Sequence, residues 1–422
     1  MSRPSQTTHD SQPAHDSRAP TKRGDAGKHQ GAAMRTVPVK TLDDLVESGV
    51  VQLTRGKIIS KTDIAAYPGS FPVYSSAKEN DGKFGEYGRY MFDEELITWS
   101  VDGGGRLFHR PTHKFSVTNV GGVLRIRDKS VLDYKYLYYV LWLRHSEISF
   151  DWVKKAHPSV IKKLYQDIPV PPLPEQQRIV GILDEAFEGI ATAKANAEKN
   201  LQNARALFES HLQSVFTQRG EGWVERRLGD VCERITKGSS PKWQGIAYVD
   251  EPGILFVTSE NVAEYQILLE RPKYVEEKFN TKDKKSILKK GDVLTNIVGA
   301  SIGRTAVFDR DDLANINQAV CLIRCAPDLL NEFFLTYLLN SPIFKQVLHD
   351  NEVDNARANL SLGFFSRLLV PTPPLSEQRK IVSVSDAVRA ETQRLESLYQ
   401  QKLAALEALK KSLLHQAFTG QL

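Results

Sequence analysis

After Pro174, apolar residues fall at Ile179, Leu183, Phe187, Ile190, Ala193, Ala197, Leu201, Ala204, Phe208, Leu212 and Val215, at spacings of three or four that draw one stripe along a helix. Pro174 cannot extend that helix backwards but suits its first turn. A second stretch sets Val388, Leu395, Leu398, Leu406, Leu409 and Leu413 between polar faces such as QRLESLYQQK and EALKKS. Each pattern predicts a helix of about 43 residues, roughly 65 Å long at ~1.5 Å per residue, which exceeds the width of a small domain. Two packings are open: a surface helix on each of two domains, or two helices packed on each other as a coiled coil, which the length favours.

The two helical stretches are copies. PPLPEQQRIV begins at Pro171 and PPLSEQRKIV at Pro373, 202 residues later. The same offset pairs Glu175 with Glu377, Ile179 with Ile381, Leu201 with Leu403, Leu212 with Leu414 and Phe216 with Phe418, with no gap. An apolar register held that far indicates internal duplication. The segments between are related more loosely: LTRGK at 53–57 resembles ITKGS at 235–239, and LITWSVDGGGRLF at 96–108 resembles LTNIVGASIGRTAVF at 294–308. Short β-rich runs broken by Gly fill both, so each reads as a mixed α/β unit. The expected organisation is a leader over 1–34, a globular unit over 35–170, a helix over 171–220, a second unit over 221–370 and a last helix over 371–422. The first helix leaves one unit and the second starts from the other, which predicts an antiparallel pair with a unit at each end, related by a pseudo-two-fold axis.

Composition adds limits. Residues 1–34 contain no Val, Ile, Leu or aromatic residue, so a disordered leader is expected, and Met34 offers an alternative start. No apolar segment follows Met1 and no run reaches membrane-span length, which points to a cytoplasmic chain. Cys232, Cys321 and Cys325 form neither a disulfide framework nor a zinc pattern. The net charge of +5 suits an anionic partner without proving one.

Catalytic signatures are missing. GGG at 103–105 lacks the GK[ST] of a phosphate loop and reads as a tight strand connection; no GxGxxG, no nuclease carboxylate–x–Lys after Pro327 and Asp328, no amino-methyltransferase loop and no metal-ligand spacing among the histidines is present. The chain reads as a non-enzyme with no metal site and no cofactor of its own.

Cations recur at matched places. The first unit carries Lys57, Lys61, Lys78, Arg106, Arg110 and Lys114 among Tyr74, Trp99 and Phe108; the second carries Lys237, Lys242, Trp243 and Arg304. Each taken singly also fits a solvated surface charge. Arg55-Gly56 and Lys237-Gly238 set a cation where backbone can approach phosphate closely, and Gly105-Arg106 and Gly303-Arg304 repeat the device in reverse. Asn317 and Gln318 suit adenine edges, or equally amides that tie down a turn.

Two variable segments, each ending in P-P-L-x-E-Q at the start of a long helix, together with the ending LLHQAFTGQL, resemble the specificity subunit of type I restriction-modification systems over nearly everything after residue 35. The resemblance implies two target-recognition domains on an antiparallel two-helix coiled coil, each reading half of an asymmetric bipartite site in double-stranded DNA. It implies two methyltransferase subunits and restriction (motor) subunits as partners, which would hold S-adenosylmethionine, ATP and Mg. Docking positions on this view are Pro172, Leu173, Pro174, Glu175 and Gln176, and Pro374, Leu375, Ser376, Glu377 and Gln378, with a purely structural helix-start role equally open. VDNARANLS at 353–361 and KKAHPSVIKK at 154–163 depart from the family's Gly with Ser or Thr before the last helix of a recognition domain. The competing function is a coiled-coil scaffold that binds proteins and has no DNA specificity.

Overall fold

A computed structural model describes residues 37–76, 80–102, 105–149, 151, 154–250, 253–352 and 358–422. The expected leader, Lys78, and 353–357 of the divergent stretch lie outside the described residues. The chain forms two compact units, Met1–Gln177 and Arg178–Leu422.

The first unit is built on a six-stranded sheet in the order Val51–Arg55, Gly121–Ile126, Phe92–Ser100, Leu107–Val117, Phe71–Tyr74 and Lys83–Tyr87. All neighbours are antiparallel except Phe71–Tyr74, which runs parallel to Leu107–Val117. Lys57 bridges to Thr118, beyond a strand that is not its sheet neighbour, so the sheet curls over at this end. Inside the curl lie Leu96, Phe115, Val117 and Val123. On the sheet the helix Tyr134–His145 buries Leu137, Val140 and Leu141.

The second unit repeats this plan with shorter strands. Cys232–Lys237, Val320–Cys325, Asp292–Asn296 and Thr305–Phe308 form an antiparallel sheet in that order, matching the first four strands of the other unit. The role of the single strand Leu107–Val117 is divided here. Thr305–Phe308 stays in the first sheet, whereas Ala314–Ile316 pairs in parallel with Ile254–Val257 in a second. Leu255, Val257, Ala314 and Ile316 face Leu294, Phe308 and Leu322 between the sheets; the opposite face meets Phe334, Leu335 and Leu338 of the helix Glu332–Asn340. Matched ion pairs brace the two plans. Arg125 makes bidentate contact with Glu94 at 2.9 and 2.6 Å, and Arg324 with the buried Asp292 at 2.7 Å twice.

The long helices are Leu173–Thr217 and Leu375–Phe418, of 45 and 44 residues, and their first residues keep the repeat offset. The first begins in the first unit, while its length from Arg178 onward belongs to the second. There the pair is antiparallel: Arg178 donates to the Leu422 carbonyl at 2.9 Å, Lys194 pairs with Glu407 at 2.6 Å, Arg205 with Glu396 at 3.2 Å, and His211 meets Ser385 at 3.1 Å. Partner numbers fall on one helix as they rise on the other. Ile179, Leu183, Ile190, Ala197, Ala204 and Leu212 of the expected stripe are buried, and so is Phe216, which lies beside it. The second helix differs from its expected stripe. Ile381, Ser385, Thr392 and Leu414 are buried, while Leu398 and Leu409 are each 47% exposed, because the seam passes through small polar side chains that a hydrophobic pattern skips.

Candidate nucleic-acid interface

In the first unit, four connections meet at one end of the sheet. Gly56 donates to the Gly121 carbonyl at 3.1 Å and Lys57 to the Val117 carbonyl at 3.0 Å; Val101 donates to the Val120 carbonyl, Ala156 to the Val101 carbonyl and Thr118 to the Tyr74 carbonyl. The second unit repeats the scheme. Ile297 donates to the Ala319 carbonyl, Leu360 to the Ile297 carbonyl, and Asn317 to the Val257 carbonyl. Where strands turn back, Ser100 donates to the Arg106 carbonyl and Asn296 to the Arg304 carbonyl, both at 3.0 Å. Gly105 and Gly303, just before those arginines, hold φ values of 61° and 86°, a left-handed turn that glycine adopts without strain.

The cation–glycine steps match as well. A Cβ on Gly56 would sit 2.0 Å from the Val117 carbonyl oxygen, and one on Gly238 would sit 1.8 Å from that of Ile316. Any larger residue would push the loops apart, so glycine here brings two backbones together beneath an exposed cation. Arg55 and Lys57 in one unit, and Lys237 in the other, project at this end. The Arg55 guanidinium also donates to the Asn119 carbonyl and lies 3.4 Å from His157.

The predicted contacts sort unevenly on this frame. Lys57, Arg106, Lys237, Arg304 and Gln318 are exposed at the loop ends, and Lys242 and Trp243 are exposed on the short 3-10 turn that follows Gly238. Asn317 is half-buried and its side-chain oxygen accepts from Ala319 at 3.0 Å, which makes it the amide that ties the turn. Lys61 opens the short helix Lys61–Ala66, and Lys114 lies 4.9 Å from the Tyr90 ring.

Arg110 is a correction. It is 5% exposed, donates to Thr98 at 3.1 Å and lies 3.6 and 4.6 Å from the rings of Tyr74 and Phe108. Burial lowers its pKa to about 10, and its guanidinium is taken up by contacts inside the domain. Trp99 and Phe108, read as aromatics between surface cations, are also core residues; the indole packs on Gly122 and donates to the Ala156 carbonyl at 2.8 Å.

Sequence reasoning passed over Lys345 and His349. They line a groove of about 650 Å³ with Arg304, Gly303 and Glu352. Both stand on the helix Pro342–Asp350, whose pattern reads as ordinary amphipathic packing, and no motif links them to a loop some 40 residues earlier.

At the helix starts the structure bears on the two roles that the sequence leaves open. Pro172, Pro174, Pro374 and Ser376 are exposed and Leu173, Glu175, Leu375 and Glu377 are half-buried, but Gln176 and Gln378 are fully buried. Gln176 donates to the carbonyls of Pro171 at 2.8 Å and Val131 at 2.9 Å and accepts from the Asp133 amide at 2.9 Å. Gln378 donates to Pro373 at 2.8 Å and Leu329 at 3.0 Å and accepts from Asn331 at 2.8 Å. Asp133 and Asn331 in turn cap the helices Tyr134–His145 and Glu332–Asn340. Both glutamines are therefore internal clamps, since every polar atom of the amide is occupied within its own unit.

Among the described residues no group of three or more His, Cys, Asp or Glu is placed to hold a metal ion, and no helix is long and apolar enough to cross a membrane. The profile of the type I restriction modification DNA specificity domain matches residues 34–202 and again 220–407. The chain is 26% identical over 357 residues to the putative type I specificity subunit S.MpnORF507P of Mycoplasma pneumoniae, covering 84% of this chain and 88% of the relative. It is 25% identical over 346 residues to the MjaVIII specificity subunit of Methanocaldococcus jannaschii, covering 78% of each. Its fold is similar to that of a chain from a type I restriction-modification system solved to explain complex assembly, with a TM-score of 0.68 at 18% identity over 88% of this chain and 98% of the other. The HsdS subunit of Thermoanaerobacter tengcongensis gives 0.52 at 19% over 92% and 94%. Two matched loop ends on one repeated frame, and a family profile that fits the chain twice, agree: the chain belongs to the type I restriction-modification DNA specificity family.

Proposed function

We propose that the chain is the non-catalytic reader of a type I complex, each unit's loop end reading one half of an asymmetric bipartite duplex site. The observation that carries this is the pair of loop ends: one backbone scheme, with exposed cations at matched places and different side chains between them. Such a frame suits two half-sites of different sequence, with phosphate contacts positioning each reader and the variable side chains specifying bases.

Methyl transfer to an extruded adenine, and cleavage, would come from partner chains that hold S-adenosylmethionine, ATP and Mg. Two copies of one methyltransferase subunit need one surface presented twice. Exposed apolar residues recur on the long helices at the repeat offset, Ile182 with Val384 and Leu207 with Leu409, which supports docking there. The purified chain, incubated with labelled donor and DNA, should incorporate no label until methyltransferase subunits are added, and its DNA affinity should fall steeply with salt. Label incorporation by the chain without partners would overturn the non-catalytic reading, and a flat salt response would favour a protein-binding scaffold.

A further inference from the structure

Among the described large apolar side chains, Trp243 at 84% and Ile58 at 78% are the most exposed. Both lie on the loop after a cation–glycine step, Ile58 two residues past Gly56 and Trp243 five residues past Gly238. Each follows its cation–glycine step, Arg55-Gly56 or Lys237-Gly238, at the point where glycine lets two backbones touch. Beyond that step the loops differ. In the first unit Ile58 lies between the bridge at Lys57 and the capping box of Ser60 with Asp63 that opens the next helix. In the second, Trp243 stands on the turn Lys242–Gln244, closed by Gly245 in the left-handed region at φ 66°.

Both loops are held firmly. Lys57 donates to the Val117 carbonyl at 3.0 Å, and Ile246 donates to the Pro241 carbonyl at 3.0 Å while its side chain is buried with Phe256 and Phe279. Lys282 donates to the Gln244 carbonyl at 2.7 Å. The exposed side chains are thus fixed on braced backbone, with exposed cations close by in sequence, Arg55, Lys57 and Lys61 in one case and Lys237 and Lys242 in the other, where Lys282 also bonds the turn that carries Trp243. An apolar tip on a loop that also carries exposed cations matches a duplex, whose apolar base stack lies between two rows of phosphate.

Resting on the DNA-reading role above, we propose that Ile58 and Trp243 are apolar wedges, each entering one base step of its own half-site and partly unstacking it. A branched aliphatic tip and an indole differ in shape and stacking strength, so the two wedges favour different steps and add to the asymmetry of the site.

The test uses the full chain assembled with methyltransferase subunits, on duplexes carrying the site found by methylome sequencing, with 2-aminopurine placed at successive steps. The fluorescence of the wild-type complex should rise at one step in each half-site. Ile58→Ala should abolish the rise in one half-site and Trp243→Ala in the other, each weakening site binding by roughly tenfold. The slope of affinity against salt should not change, because an uncharged contact releases no counterion. Trp243→Phe should keep the rise. Unchanged fluorescence and affinity in the alanine variants would overturn the proposal. So would lost methyltransferase stoichiometry with site binding intact, which would make these residues protein contacts. A wild-type complex with no preference for the methylated site would instead bring down the reading role itself.

Discussion

At the helix starts the two halves of the chain agree nearly atom for atom: Gln176 and Gln378 each make two donations and one acceptance to corresponding backbone groups. At the loop ends the backbone bonds agree but the side chains part company, with Arg55 against Lys237, Lys57 against Ser239 and Thr118 against Asn317. The difference teaches where sequence is free to change. A buried amide with every polar atom occupied admits no substitute without leaving unsatisfied groups. An exposed side chain on backbone-bonded turns can be exchanged with little effect on folding, so recognition can diverge while the frame persists.

The sharpest way to break this comparison is at the clamps. Gln176→Ala and Gln378→Ala each strand an amide and two carbonyls, and each should cost its own unit about 3 kcal/mol or more. Hydrogen exchange should show the loss in Tyr134–His145 for the first and in Glu332–Asn340 for the second. Equal and local losses would support the clamp role, whereas normal exchange with reduced methyltransferase binding would return these residues to the docking surface.

On the helices, Leu207→Glu and Leu409→Glu should each remove about one of two methyltransferase subunits, read as stoichiometry by native mass spectrometry, because each places a charge in an apolar contact. Next come three arginines that look alike in sequence. Arg110→Ala should destabilise the first unit by about 2 kcal/mol through lost packing on Tyr74 and Phe108. Arg106→Ala and Arg304→Ala should leave thermal stability unchanged and weaken DNA binding. A phosphate contact would lower the salt slope by about one, and a guanine contact would relax one base position by about 1–3 kcal/mol.

The smallest effect concerns pH. Desolvation holds the His211 pKa below its ordinary value, next to Ser385. The unfolded chain therefore binds this proton more readily, and the stability of the helix pair should decline as pH falls through the ordinary histidine value of about 6.5. His211→Gln should flatten that decline slightly in thermal melts between neutral pH and pH 5.

What the sequence revealed follows from the same physics. Helical period and the repeat offset were legible because a seam tens of residues long fixes apolar spacing at many positions. The glycine steps were legible because close backbone approach demands them. In the sequence Gln176 and Gln378 suit a docking surface and a structural helix start equally, because a polar side chain near a helix start gives no sign that it turns inward to bond the residue capping a neighbouring helix. Arg110 looks like the other cations in sequence because the groups that bury it, Tyr74 and the Asp81 carbonyl, lie some 30 residues or more away in the chain. The apolar pattern points to Leu398 and Leu409 because Ser385 and Thr392, which are the buried positions, are polar. Lys345 and His349 became neighbours of Arg304 through packing of a helix on a loop, which local pattern does not encode.

The central claim is that each unit reads its half of the site independently. Exchange of residues 35–170 for the corresponding segment of a relative with a different target, followed by methylome sequencing of cells expressing the hybrid with its partners, tests it most directly. One half of the methylated motif should be replaced and the other retained letter for letter. A motif changed in both halves, or in neither, would contradict the account.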